Sequence, residues 1–307
     1  MKTIHRDYAE ESGDFHRLCQ FVTQNNAYLR RHSTWSLGRV VDWKYGLYPG
    51  KRAYPAFTDQ NAHLWFDGYG QMAGFVICEN GDAGFTILTL PGYRFLFEEM
   101  LHWTLQTWQA RGPQYFTEVT EHQGHEMRVL EGCGFLRKAP FFSRRFDLTG
   151  EMAPRFPLEE GFSVVDMQSH PDDIGQRLMR SNAFSGKQSL TEEELQDELK
   201  FTNYSHQGPL YHAPTDVCVM APDGTIVAGC EALIDGVNAE ADIERVATHD
   251  RYRHRGFARA AIQECLYRLR EIGMRNAYIT GYSQAAIALY GSLGAVDEVQ
   301  NFVYERG

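Results

Sequence analysis

Hydrophobic and polar positions follow two different periods along this chain. In its second half, apolar and β-branched runs at 162–167, 217–220, 225–234 and 241–248 predict strands, with polar helical stretches between 171 and 205. Apolar residues then recur at helical spacing from 256 to 272, and a strand at 277–280, a helix at 284–293 and a closing strand follow. A block of strands followed by alternating helix and strand is typical of a mixed α/β sheet whose last strands run parallel.

The first half of the chain repeats this order in divergent form. A glycine-led strand at 70–77 corresponds to the strand at 224–234, and the helix end at Gly134 lies 160 positions before the one at Gly294. Between the halves, residues 148–158 carry two prolines, a glycine and no hydrophobic period, which is typical of a linker. We therefore expect two domains, at 1–150 and 158–307.

Composition narrows the class of protein. The chain has 307 residues, of which 43% are hydrophobic, and this is ample for two globular cores. Its net charge of −10 disfavours nucleic acid and membrane surfaces as partners. No apolar run approaches a membrane span and the first residues are charged, so we expect a cytoplasmic protein. The six cysteines stand singly, and we interpret them as reduced packing residues rather than as a metal or redox site.

The most informative segment is a basic turn between a predicted strand and the long helix at 256–272. Four arginines fall within nine residues, which reverses the local sign of an acidic chain: Arg251, Arg253, Arg255 and Arg259. The N-terminus of a helix presents unpaired backbone N–H groups and a positive dipole end, which together bind anions. Gly256 and Ala258 are small, and we expect this smallness to let a phosphate oxygen reach the amides. The competing interpretation is a solvated basic helix cap.

The pattern Arg253-x-x-Gly256-x-Ala258, followed by the alanine-rich stretch from Ala285 to Ala295, resembles the GNAT superfamily of acyl-CoA-dependent N-acyltransferases. The resemblance covers residues 160–307 and implies an acetyl-CoA site whose pyrophosphate lies on the basic turn. With the duplication, it implies two tandem GNAT-like domains, each a mixed, mostly antiparallel sheet flanked by helices, similar in architecture to mycothiol synthase. The coenzyme-binding residues that it implies are Val246, Ala247, Thr248, Arg253, His254, Arg255, Gly256, Phe257, Ala258, Arg259, Ser283 and Tyr290.

Acetyl transfer to an amine requires particular side chains. The amine must lose a proton, and alkyl amines have a pKa near 10, so a carboxylate is needed nearby. We expect Glu244 to take this role through water, with Asp242 and Glu240 as alternatives, on the strand face opposite to Ile243 and Arg245. An exposed strand carboxylate paired with an arginine is the competing interpretation. Backbone N–H groups of residues 246–248 would stabilise the oxyanion, and the resemblance implies that Tyr290 protonates the leaving thiolate.

The first copy departs from the signature. When Tyr93 and Arg94 are aligned with Tyr252 and Arg253, an offset of 159 positions, Phe97 falls at the position of Gly256 and Glu99 at that of Ala258. With an offset of 160 positions, Leu130 falls at the position of Tyr290. Bulk and negative charge would exclude a pyrophosphate, so we expect residues 1–150 to have lost coenzyme binding. We therefore expect an acetyl-CoA:amine N-acetyltransferase that acts on a small-molecule amine by direct transfer, as a monomer or homodimer and without a metal. The alternatives are a non-catalytic acyl-CoA-binding or scaffold protein and an acetyltransferase of protein amino groups.

Overall fold

A computed structural model describes residues 2–30, 33, 35–46 and 57–307. Their contacts divide the chain into two units: Met1–Phe141 with Val299–Gly307, and Phe142–Glu298. These bounds differ from the boundaries that the sequence suggests, at residues 150 and 158, because the chain's last strand pairs within the sheet of the first unit. Asn301 to Arg306 pair with Thr120 to Tyr115.

Both units are built from strands and helices. In chain order the elements are β1 (Ile4–Asp7), α1 (Asp14–Leu29), α2 (Leu37–Tyr45), α3 (Phe57–Asn61), β2 (Ala62–Phe66), β3 (Met72–Ile77), β4 (Gly84–Thr89), α4 (Phe97–Thr107), β5 (Tyr115–Thr120), α5 (Gly124–Gly132), β6 (Leu136–Asp147), β7 (Ser163–Asp166), α6 (Asp173–Ser185), α7 (Glu192–Ser205), β8 (Val217–Met220), β9 (Ile226–Asp235), β10 (Glu240–Thr248), α8 (Phe257–Glu271), β11 (Asn276–Gly281), α9 (Gln284–Gly291) and β12 (Asp297–Arg306). Within the described ranges, no helix combines the length and the apolarity that crossing a membrane requires.

Each unit contains a mixed sheet. In the first unit the strand order is β1-β2-β3-β4-β5-β12, and in the second it is β7-β8-β9-β10-β11-β6. Neighbouring strands are antiparallel except β4 with β5 and β10 with β11, which are parallel. The predicted fold class is confirmed: mixed α/β, mostly antiparallel, with flanking helices.

The core of the second unit lies between α8 and the sheet. The apolar stripe predicted for this helix is buried, and Ala261, Cys265 and Leu269 have no exposed surface. They pack on the inward faces of β8, β9 and β10. The opposite face of β9 and β10 is covered by α6. As a result, β10 runs between two helices and its C-terminal end points at the start of α8.

The core of the first unit takes up most of its tryptophans. Trp35, Trp43, Trp65 and Trp108 are at most 5% exposed, and Trp103 is half-buried. This burial makes them packing residues of the first unit. The six cysteines are free thiols, and four of them are buried.

Candidate functional site

Strand β10 separates from β11 after three paired residues. Glu240 to Asp242 pair with Asn276 to Tyr278, and no pairing with β11 follows within the described residues. On its other side, β10 carries a β-bulge between Glu244 and Ala247, where Arg245 adopts a left-handed conformation with φ of 52°. Such a bulge leaves an extra residue unpaired and re-aims its neighbours. Beyond Asp242 the sheet is therefore open, and Glu244 lies at the opening.

A cleft of about 370 Å³ begins at this opening. It is bounded by the end of α6, the end of β10, the turn before α8, the first turn of α8 and the helix α9. Eleven of the twelve coenzyme-binding residues predicted from the sequence line this one cleft: Val246, Ala247, Thr248, Arg253, His254, Gly256, Phe257, Ala258, Arg259, Ser283 and Tyr290. Arg255, which pairs with Glu159, and Glu244 are not part of this lining.

The main chain at the base of the cleft is rich in unpaired donors. The first amide of α8 to bond within the helix is that of Ala260, which donates to the carbonyl of Gly256 at 3.0 Å. In the described part of the chain, the backbone N–H groups of residues 254–259 find no protein acceptor. Six such donors at the positive end of a 15-residue helix form an anion site built from backbone.

The arginines of the turn are bound to the protein rather than free. Arg253 donates to the carbonyl of Ala183 at 3.1 Å, and Arg259 donates to Ser292 Oγ at 2.5 Å. Arg255 forms a bidentate pair with Glu159 and lies over aromatic rings. We expected these side chains to supply charge to a phosphate, whereas their observed partners hold the turn in place.

Two structural constraints account for the glycine at position 256. As the residue that caps α8, it has a φ of 81°, a conformation that glycine adopts without steric cost. A Cβ on Gly256 would collide with the ring of Phe156, which lies in the segment before β7. The small residue therefore accommodates the turn and a packed ring, and the role expected for it beside a phosphate oxygen stays a prediction.

Tyr290 and Glu244 meet at the opening of the sheet. Tyr290 ends α9, is 6% exposed, and fits against Gly281, where an added Cβ would lie 3.1 Å from Cδ2 of the ring. Within the described ranges its hydroxyl makes no hydrogen bond. Burial raises the pKa of Tyr290, and the nearby Glu244 carboxylate raises it further. The hydroxyl is therefore protonated at neutral pH and faces the cleft as a donor.

The two alternative carboxylates are placed differently. Glu240 accepts a hydrogen bond from the hydroxyl of Tyr278 at 3.0 Å. Asp242 lies in the paired part of β10, opposite Tyr278. Of the three carboxylates, Glu244 is the one that acts on the pKa of Tyr290.

A buried ionic network supports the bulge from behind. Glu231 on β9 lies opposite Glu244 and pairs with Arg245 and, at 2.9 Å, with Arg180 of α6. Burial opposes ionisation of Glu231, but the charges of Arg245, Arg180 and Arg177 bring its pKa down to about 2. Opposite residues of antiparallel strands share a face, so Arg245 lies on the face of Glu244. The expected alternation, with Arg245 on the other face, is wrong because the bulge reverses it.

Sequence reasoning missed several residues around the cleft. Phe184 at the end of α6 is 62% exposed beside it, and Tyr252, Ala286 and Leu289 complete its lining. Ala286 and Leu289 belong to the alanine-rich stretch, which could have indicated them. Phe184 and the network residue Arg180 come from α6, where no motif marks them. Among the described residues, no three His, Cys, Asp or Glu side chains are grouped as metal ligands.

In the first unit, the turn between β4 and α4 is one residue shorter than the turn between β10 and α8 in the second unit. Helix α4 begins at Phe97 and α8 at Phe257, and both phenylalanines are buried. Leu96 therefore stands where Gly256 stands in the second unit, and Glu98 where Ala258 stands. This corrects the expected correspondence of Phe97 with Gly256 and of Glu99 with Ala258, which assumed turns of equal length.

Backbone N–H groups of this shorter turn form hydrogen bonds within the turn itself. Residues 91–96 form a 3-10 helix that begins with Pro91, and the amide of Phe97 donates to the carbonyl of Arg94. The Arg94 guanidinium is paired with Glu126 at 2.9 and 2.6 Å. Glu126 corresponds to Ala286 of the second unit, and Leu130, at the position of Tyr290, is fully buried. An anion would find few free amides and a neutralised arginine here.

Residues 178–295, which contain the whole cleft, match the model of the acetyltransferase (GNAT) family. The match lies within the second unit, which therefore contains a segment similar to GNAT acetyltransferases. The entire chain is also similar to solved structures of GNAT proteins. One is a GCN5-related N-acetyltransferase from Sphaerobacter thermophilus, at 17% identity over 99% of this chain and 95% of that one, with a TM-score of 0.67.

A tandem GNAT protein from the clavulanic acid biosynthesis pathway is similar to the same degree. It shares 13% identity over 99% of this chain and 98% of its own, also with a TM-score of 0.67. At these identities the likeness establishes the fold, two tandem GNAT-like domains, and not the substrate. No curated protein gave a significant match.

Proposed function

We propose that the second unit of this protein transfers an acetyl group from acetyl-CoA to the primary amine of a small molecule. The observation that carries the proposal is one cleft that joins a run of six unpaired backbone amides to a protonated tyrosine, whose pKa is raised by burial and by the nearby carboxylate of Glu244. Amides suit a pyrophosphate, and the tyrosine and carboxylate suit the two proton transfers of aminolysis.

The residues present fit acetyl-CoA. The amides of residues 254–259 would hold the pyrophosphate, and the exposed ring of Phe184 and the apolar side of α9 would line the path of the pantetheine arm. Acetyl-CoA supplies an activated acetyl group and a thiolate that leaves. The first unit, whose corresponding turn offers few free amides, would bind none.

The side chains then complete a direct transfer. Glu244, acting through water, accepts a proton from the ammonium form of the acceptor, so that the neutral amine attacks the thioester carbon. A backbone N–H beside the bulge, at Val246 to Thr248, donates to the oxyanion of the tetrahedral intermediate. The nitrogen of the intermediate, which carries a surplus proton after the attack, releases that proton to water. Tyr290 gives its proton to the sulfur as the carbon–sulfur bond breaks, and is reprotonated from solvent.

Small amines are favoured over protein amino groups because of charge and enclosure. The net charge of −10 attracts cationic acceptors, and Glu244 is partly buried, where a compact molecule reaches it more easily than a folded surface does. A scaffold that only binds acyl-CoA has no need for an unbonded hydroxyl beside a carboxylate.

Glu244→Gln tests the role of the carboxylate. We expect acetyl-CoA consumption to be accelerated by members of a panel of small primary amines, and the variant to lower kcat about 100-fold at pH 7. The loss should shrink as pH rises, because the amine then loses its proton to solvent. Initial rates from pH 6 to 10 measure this.

Glu240→Gln is the matched control, since it removes a carboxylate from the same strand. It should keep a rate near that of the wild type. If Glu240→Gln loses activity and Glu244→Gln does not, the base is misassigned. If no amine in the panel, and no lysine peptide, is acetylated by the wild type, the proposed activity is wrong.

A further inference from the structure

The first unit contains a cavity that the proposed function does not use. It has a volume of about 160 Å³ and lies between α1, the end of β4 and the 3-10 turn at 91–96. A single water needs roughly 15 Å³ on the same measure, so the cavity has room for about ten atoms of that size. This is the size of an amino acid and too small for a coenzyme.

A buried acceptor in this cavity lacks a partner among the described residues. Asn25 of α1 is 2% exposed and lines the cavity, and its Oδ1 accepts no hydrogen bond from any residue that the structure describes. A buried acceptor left unsatisfied is destabilising, so it is normally paired with a donor. The carboxylate of Glu126, whose side chain is 4% exposed, lines the same cavity. Both groups would accept hydrogen bonds from an ammonium group.

The same cavity also offers a cationic donor. Arg94 uses Nε and Nη2 to bind Glu126, whereas Nη1 makes no hydrogen bond to any described residue. Its side chain is 44% exposed and lies at the rim. A guanidinium in this position suits a carboxylate. Leu29, Ile87 and Phe97 supply an apolar part of the cavity's lining.

We propose that this cavity binds a free α-amino acid with an apolar side chain. The ammonium group donates to Asn25 Oδ1 and lies near Glu126, the carboxylate accepts from Arg94 Nη1, and the side chain packs on Leu29, Ile87 and Phe97. Phosphorylated ligands are excluded because the amides of the turn are bonded within it and Arg94 is already paired with a carboxylate. The site is independent of the acetyltransferase cleft, since every residue that lines it belongs to the first unit.

Calorimetric titration of the full chain tests this proposal. The probes are leucine, isoleucine, valine, methionine and phenylalanine, together with the methyl ester and the N-acetyl derivative of any amino acid that binds. We expect one site per chain for at least one amino acid, and binding about tenfold weaker or worse for each derivative, since each loses one charged hydrogen bond.

Two variants of α1 locate the site. Asn25→Leu should weaken binding at least about tenfold, because it removes the acceptor at nearly constant volume. Asn26→Leu is the matched control, since Asn26 carries the same amide on the next residue but does not line the cavity. Arg94→Gln should weaken binding of the amino acid but leave binding of its methyl ester unaffected.

Three outcomes would overturn the proposal. The first is that none of the five amino acids binds at millimolar concentration. The second is that binding survives both Asn25→Leu and Arg94→Gln. The third is that Ala258→Glu in the second unit abolishes amino-acid binding, which would place the amino acid in the acetyltransferase cleft instead.

Discussion

Replacing Ala258 with glutamate should weaken acetyl-CoA binding about 100-fold. Ala258 lies in the first turn of α8 and lines the cleft, so a carboxylate there would face the diphosphate across a few ångströms. At an effective dielectric constant near 20, such a repulsion amounts to about 3 kcal/mol, which is about 100-fold in affinity. The first unit carries Glu98 at this position. Calorimetry with acetyl-CoA measures the loss.

Ala258→Gln is the control, because glutamine adds the same volume without the charge. Its affinity should fall far less than that of Ala258→Glu. Neither variant should unfold the domain, since a carboxylate in the first turn of a helix is compatible with the dipole and helical circular dichroism should be unchanged. Equal affinity losses in the two variants would mean that bulk rather than charge matters, and an unaltered affinity in Ala258→Glu would remove the pyrophosphate from this turn.

Tyr290→Phe should lower kcat about 100-fold while leaving the Kd for acetyl-CoA unchanged. The ring and its contact with Gly281 are retained, and the hydroxyl makes no protein hydrogen bond in the described structure whose loss would disturb the fold. Removing a general acid typically costs 100-fold or more. Because burial and Glu244 raise the pKa of Tyr290, the loss should be constant across neutral pH. Single-turnover rates and coenzyme titration separate the two quantities.

Tyr278→Phe is the matched control on the neighbouring strand. Its hydroxyl is also buried, with a raised pKa, but it donates to Glu240 and does not line the cleft. We expect Tyr278→Phe to keep the wild-type kcat. A wild-type rate in Tyr290→Phe would return Tyr290 to the role of a packing residue.

The hydrophobic pattern predicts most of the fold. The stripe on α8 is readable because apolar residues at 3.6-residue spacing face one core, and the block of strands before it is readable from β-branched runs. The hydrophobic pattern does not predict which strands pair with one another. The last strand joins the sheet of the first unit, and Phe142–Asp147 join that of the second, although both lie far in sequence from their partners.

The location of the cleft can also be predicted from the sequence, because a basic turn that ends in Gly256 at a helix N-terminus concentrates unpaired amides in consecutive residues. The contacts that individual side chains make there are harder to predict from the sequence. Arg253, Arg255 and Arg259 find acceptors elsewhere in the chain, Gly256 meets Phe156 from a distant segment, and the left-handed backbone at Arg245 turns its side chain toward Glu231. Each of these depends on a tertiary contact that no local pattern encodes.

The measurement that tests the central claim most directly is the stoichiometry of acetyl-CoA binding to the full chain. Two GNAT-like units are present, but among the described residues only the second offers six unpaired amides and a first helical turn without an acidic residue. Calorimetric titration should therefore show one acetyl-CoA per chain, with the heat lost in Ala258→Glu. No binding, two sites per chain, or one site that is insensitive to Ala258→Glu would contradict the account.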